Sequence, residues 1–300
     1  MMSNLFIDDG LKIPQIESGM LYHYTSAEGL KGIVAGKELW VTDSAFLNDS
    51  KEFCVANEVF CELIKTKISD SRIAEEFVKE FDAQMLMLQW NTMRSEDRCY
   101  VLSCCQECDS LVMWSEYSDF MGYCMELDFK TFLQAFDDRI TFHGKVIYTH
   151  DEQIDILERY IENSIFSDEA NAESVKSWVE LGKCDAEKRS GFISEMSVVC
   201  FLCNMFFKYE CFKQEQEYRF VFYGFSRDLI NPPSIDLDYK IKGNTIIPFI
   251  KVHTPDDIGL KRVLIGPMNK ADIAEMGLKS WFEYLNMSTK VEKSKIPLRY

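Results

Sequence analysis

Histidine is scarce in this 300-residue chain, which holds only His23, His143, His150 and His253. Catalysis built on histidine therefore has few candidates. H-E-x-x-H is missing, which removes the helical zinc site of metalloproteases. G-x-S-x-G is missing too, which removes the nucleophile elbow of the α/β-hydrolases. Neither G-x-G-x-x-G nor G-x-x-x-x-G-K-[ST] occurs, so no Rossmann fingerprint and no P-loop is available. Long apolar runs are lacking as well. The longest uncharged one, Met196 to Phe207, is too short to span a bilayer. The opening MMSNLFIDDG lacks the cationic start and apolar stretch of a secretory signal, so a cytoplasmic location without membrane contact is the expectation. Positive charge is outnumbered, with 33 Lys and Arg against 49 Asp and Glu and a net charge of −16. Such a chain repels phosphate backbones on average, which disfavours a general nucleic-acid coat protein but leaves room for a local basic pocket.

What is present describes a globular chain, 47% apolar and 27% charged, long enough for one large core. The cysteines are numerous, but their number, eleven, is odd and their spacing irregular. They read as reduced thiols rather than a disulfide framework. Two C-x-x-C pairs, Cys105–Cys108 and Cys200–Cys203, have the spacing of zinc ligands. The second lies in SVVCFLCNMFF, where cysteine behaves as a small hydrophobe, and no metal is expected.

Strand-like runs occur at 21–25 (LYHYT), 38–42 (ELWVT), 99–105 (CYVLSCC), in GYCMELDF and ITFHGKVIYT, and at 217–224, 246–252 and 262–266. Helical spacing is read in SAEGLKGIVAGKE, with Ser26 as its N-cap, and in a helix capped by Asn48 or Asp49. Further helices are expected at about 71–90, in DSLVMWSEYS, and in ADIAEMGLKSWFEYL. Residues 151–213 are mostly helical, and Ser194–Phe207, apolar all round, is expected under the core. Strands at both ends, with helices between and no strict alternation, predict an α+β fold in a single domain, 1–300, with a helical insert at about 151–213.

Three clusters carry chemistry. His23 lies in YHYTS opposite Tyr22 and Tyr24 on a strand, either as a ligand-facing imidazole or as a half-buried structural one. Trp114 and Tyr117 share a helical face with Ser103 upstream, either as an aromatic platform for a flat ring or as core. In QEQEYRFVF, alternation puts Glu215, Glu217 and Arg219 on one side. Those three form a structural ion pair or a carboxylate site for a cationic sugar-like transition state.

The wording of these clusters resembles a bacterial family, domain of unknown function 2971, through LYHYTSAEGLKGIVAGKELWVTD, FLND, MWSEY with Gly122, E-x-E-x-R at 215–219 and the closing SKIPLR. The resemblance runs from about residue 21 to 299. That family is in turn similar to the ADP-ribosyltransferase superfamily, which implies a split β-sheet core with helical insertions and NAD as co-substrate. On that resemblance Glu217 is the catalytic carboxylate and Glu215 positions the acceptor. His23 hydrogen-bonds the NAD ribose, Arg219 holds the diphosphate, Tyr117 or Tyr123 supplies the aromatic surface for nicotinamide, and Tyr24, Thr25, Ser103 and Trp114 complete the cofactor-binding set. Cys105 breaks the superfamily's S-x-S pattern after Ser103. The implied activity is ADP-ribose transfer to an unidentified protein or nucleic-acid acceptor, as in toxins and phage-defence effectors. An NAD glycohydrolase and a non-catalytic module sensing a nucleotide or a phage protein are the alternatives. The cations Lys290, Lys293, Lys295 and Arg299 are the candidate phosphate contacts outside the site, and a homodimer is left open.

Overall fold

The computed structural model describes residues 11–47, 54–94, 98–167, 175–222, 236–242, 244–269 and 271–298. In chain order the elements are β1 (Met20–Thr25), α1 (Ala27–Val34), β2 (Glu38–Asp43), α2 (Val55–Lys67), α3 (Ser71–Arg94), β3 (Tyr100–Cys105), α4 (Leu111–Ser118) and β4 (Tyr123–Asp128). They continue as α5 (Phe129–Ala135), β5 (Ile140–Lys145), α6 (His150–Tyr160), α7 (Trp178–Leu181), α8 (Ala186–Cys203) and β6 (Glu217–Phe222). The last are β7 (Leu237–Lys242), β8 (Thr245–His253), β9 (Leu260–Ile265), α9 (Ala271–Tyr284) and β10 (Lys290–Lys293). The expected α+β class holds. The strands make one open mixed sheet of ten, ordered β10-β9-β4-β1-β3-β2-β8-β7, with β6 and β5 branching from β3.

That branch decides the architecture. Along one edge β3 pairs with β6 over its whole length, from Tyr100↔Phe222 to Cys105↔Glu217. Its other edge is divided. β2 meets it at one end, through Asp43↔Tyr100 and Thr42↔Val101, and β1 meets it at the other, through Tyr22↔Cys105. Between those contacts Leu102, Ser103 and Cys104 face a gap where β1 and β2 part.

Period-two alternation gives each face of the sheet its own core. Tyr100, Leu102, Cys104, Tyr218, Phe220 and Phe222 pack with Leu30, Ile33, Phe132 and Phe136 on one side. On the other, Val101 and Val221 pack with α2, α3, α6 and α8. The helices of the segment 151–213 share one core with α2 and α3. Helix α8 is buried along its second half, as its all-round apolar character requires, and it supplies Met196, Val199, Cys200 and Cys203. The N-cap expected at Ser26 is present, its hydroxyl accepting from the Gly29 amide at 3.1 Å. The cap expected at Asn48 or Asp49 lies outside the described residues. Strand β7 is not among the strands expected from the sequence. Its alternation in LDYKIK sets charged residues between apolar ones that stay exposed, so no buried face marks it.

Candidate functional site

Where β1 and β2 part, a cleft of about 1030 Å³ opens. This is at the upper end of the roughly 300–1,000 Å³ common for small-molecule sites. It is lined by His23 and Thr25 from β1, Gly29 from α1, Ser103 from β3, Tyr117 from α4, and Lys208, Glu217 and Arg219 at its base. Gly122 fits the close approach at the cleft's rim. A Cβ there would lie 2.4 Å from the Thr25 carbonyl oxygen, so only glycine lets the turn after α4 sit against β1.

His23 reaches across the split. Its Nδ1 lies 3.2 Å from the Ser103 carbonyl oxygen, inside the gap that lacks a strand partner. A carbonyl only accepts, so Nδ1 carries the proton and Nε2 is the acceptor nitrogen. Burial pushes the imidazole pKa below its ordinary value, and the Lys240 ammonium adds to this against the Ser103 carbonyl, so the ring is neutral at pH 7.

The base of the cleft is an ionic cluster. Glu217 opens β6 and is 1% exposed, as is Arg219 two residues on. Arg219 grips the carboxylate with two nitrogens, Nε to Oε2 at 2.8 Å and Nη2 to Oε1 at 3.2 Å, and its Nη1 donates to the Met205 carbonyl at 2.9 Å. Lys208, equally buried, donates from Nζ to Glu217 Oε1 and to Glu215 Oε2, both at 2.7 Å. The Tyr148 hydroxyl accepts from the Glu217 amide at 2.9 Å. Burial alone would push the Glu217 carboxyl up, but Arg219 and Lys208 outweigh it and hold the group well below the usual range. Glu215 goes the other way. Burial first, then its hydrogen bond and proximity to Glu217, push it up to about 8 against the pull of Lys208. At neutral pH Glu215 is therefore protonated, and the cluster of Lys208, Arg219 and Glu217 carries one positive charge in excess.

The cleft gathers His23, Thr25, Ser103, Tyr117, Glu217 and Arg219, all of them site residues expected from the sequence, and Tyr24 borders it. Others lie elsewhere. Trp114 is fully buried, edge-on to Tyr24 at 4.9 Å with its indole nitrogen donating to Asp109 at 2.8 Å, so it is core and not a platform in the cleft. The Tyr24 ring is buried beside it, its hydroxyl accepting from the Ser110 amide at 2.8 Å and donating to the Glu107 carbonyl at 3.3 Å. Tyr123 pairs with Thr25 and Ile265 inside the sheet and does not line the cleft. Glu215 is not at the cleft surface either. It ends a 3₁₀ turn, Glu210–Glu215, and Gln216 follows in a left-handed conformation at φ 44°. Glu215 thus meets Glu217 through a turn rather than through strand alternation, and Gln216 between them is exposed. Lys293 is engaged by Asp272 at 3.0 Å and Glu275 at 3.1 Å, which neutralises the centre of the C-terminal cationic group. Arg299 lies outside the described residues. Cys200 and Cys203 are buried inside α8, where burial pushes both thiols up.

Residues 113–220 match the family described as a protein of unknown function, DUF2971. The matched span runs from α4 to β6 and includes Tyr117, Lys208, Glu215, Glu217 and Arg219. No curated protein and no solved structure matches the chain. Lys208 is the principal residue that reasoning from sequence missed. A single cation inside the apolar run FLCNMFFKY (201–209) was its signal, since a lysine there needs a buried partner.

Proposed function

We propose that this chain is an ADP-ribosyltransferase-like enzyme that takes NAD into the cleft and passes ADP-ribose to an acceptor. One observation carries the reading. His23, Ser103, Tyr117, Glu217 and Arg219, drawn from four separate stretches of the chain, converge on a single cleft where β1 and β2 part. In the reaction the C–N bond between ribose and nicotinamide breaks, its electron pair leaves with nicotinamide, and positive charge develops on the sugar. Glu217, ionised at neutral pH, supplies the opposing charge, which counts more in the transition state than in the bound substrate. His23 Nε2 accepts from a ribose hydroxyl, and the Tyr117 ring flanks the leaving base. The excess positive charge on Lys208 and Arg219 offsets the diphosphate inside an otherwise acidic protein. Glu215 takes a positioning role behind Glu217 rather than the acceptor-facing role implied by the resemblance.

The test incubates the protein with NAD labelled in the adenylate half and a whole-cell extract, and follows nicotinamide release and labelled macromolecules. The expected result is both, with Glu217→Gln lowering turnover at least a hundredfold while KM changes little, and Tyr117→Ala raising KM. Release of free ADP-ribose with no labelled macromolecule identifies water as the acceptor and replaces transfer by glycohydrolysis. A second reading is favoured by the grip on Glu217, whose two oxygens are both held by buried cations. That arrangement also suits a module that binds a nucleotide without cleaving it. NAD binding with no release of nicotinamide selects that reading.

A further inference from the structure

Trp40 lines the cleft and has no role in the reading above. In β2, Leu39 and Val41 turn into the core, so Trp40 faces the other side. That side carries Thr42, whose partner Val101 shares a face of β3 with Ser103. The indole stacks on Phe249 with ring centroids 4.4 Å apart and planes 28° from parallel. Phe249 is buried, so the back of the indole is packed, yet Trp40 remains 47% exposed and lines the cleft. Its Nε1 donates to Glu38 Oε2 at 3.3 Å, which fixes the ring about its long axis.

Beside it stands Lys240 of β7, whose Nζ donates to the Thr42 hydroxyl at 2.8 Å and lies 5.7 Å from the centre of the Phe249 ring. Lys240 also lines the cleft, and its charge is felt at the His23 imidazole of β1. One wall thus offers an aromatic face with a single fixed orientation and a cation next to it. A ring held this way loses little freedom when a second ring stacks on it.

We propose that Trp40 and Lys240 form a nucleobase–phosphate subsite in which the purine ring of a nucleotide stacks on Trp40 and its phosphates face Lys240. The inference deepens the reading above and rests on it for placing the ligand in this cleft. It assigns the adenylate half of the dinucleotide to the β2–β7–β8 wall and leaves the reacting half to His23, Tyr117 and Glu217. An indole that merely covered Phe249 would give the same packing but no dependence of affinity on the base.

The experiment titrates AMP, ADP and pyrophosphate into the wild-type chain, Trp40→Ala, Trp40→Phe and Lys240→Ala by calorimetry, with nicotinamide release followed in parallel. Trp40→Ala is expected to weaken AMP and ADP by about tenfold or more, the usual scale for loss of a stacked base. It should leave pyrophosphate unchanged, and Trp40→Phe should restore most of the loss. Lys240→Ala should weaken ADP and pyrophosphate together. AMP should also quench the indole fluorescence of the wild type, a change lost in Trp40→Phe, which keeps the test open if Trp40→Ala is poorly folded. Equal AMP affinity in the wild type and Trp40→Ala, or no AMP binding to the wild type, overturns the subsite. A wild-type chain that binds AMP through Trp40 yet releases no nicotinamide sinks the catalytic reading and leaves the subsite standing. NAD turnover with no dependence on Trp40 does the reverse.

Discussion

The imidazole of His23 and the carbonyl of Ser103, 3.2 Å apart, close a gap in the sheet with a side chain where a strand would otherwise supply an amide. The contact fixes the ring, its tautomer and the direction of its free nitrogen at once. Because burial disfavours the charged ring, the midpoint of its NMR titration should lie below the ordinary imidazole value of 6.5. His23→Ala leaves the Ser103 carbonyl without its donor and should cost about 1–3 kcal/mol in urea unfolding. A midpoint for His23 above 6.5 would contradict this account.

Glu217 is the anion that lets Lys208 and Arg219 be buried together. Glu217→Gln should therefore lower stability by about 3–5 kcal/mol, the scale for breaking a buried ion pair by removing one partner. Chemical denaturation of both proteins gives the number. A loss below 1 kcal/mol would mean that the cations are satisfied by other groups.

Stability should also fall on both sides of a mildly acidic optimum. Glu215 keeps its proton in the folded chain up to about pH 8, whereas the unfolded chain releases it near the ordinary value of 4.5. Between those limits the folded state binds the extra proton, so Glu215 makes stability decline as pH rises from about 4.5 to about 8. Glu217 acts oppositely. Its depressed folded pKa gives stability that is present above 4.5 and lost as the solution is acidified below it. Glu215→Gln, which cannot ionise, should flatten the decline between pH 5 and pH 8 in a series of thermal melts. An unchanged slope would show that Glu215 is not the group responsible.

Gly122→Ala tests the rim. Its new methyl would lie 2.4 Å from the Thr25 carbonyl and 2.4 Å from the Ser118 Cβ, so the α4 turn must retreat from β1. The expected cost is about 1–3 kcal/mol, with weakened ligand binding because Tyr117 and Thr25 move apart. A variant as stable as the wild type would show that the turn yields without strain.

Much of the sheet was legible because its strands alternate strongly or run apolar without a break. β1, β2, β3, β6, β8 and β9 fall within a residue or two of where the pattern puts them. β7 was not, because exposed apolar residues on an edge strand leave no one-sided signal. The site was legible only where chemistry is written locally. Glu217 and Arg219 are two residues apart on one strand, and alternation alone aims them together. Lys208 reaches them only through the turn after α8, and Trp40 joins them only through the pairing of β2 with β3 and β8, neither of which any local pattern encodes. Trp114 illustrates the converse. Its spacing from Tyr117 correctly gives a shared helical face, but spacing cannot say whether that face meets a ligand or Tyr24.

The central position of β1 sets the order in which this protein can become competent. β1, the first of the described strands, lies between β3 and β4, which are translated some eighty to a hundred residues later, and the cleft's far wall waits for Lys240. Nearly every contact that shapes the cleft spans a large separation along the chain, the kind of topology that folds slowly and late. A nascent polypeptide still held on the ribosome before residue 240 has emerged therefore has no complete cleft. On the proposed reading, ligand recognition waits until β7 has emerged, and no fragment that ends short of β7 should acquire it.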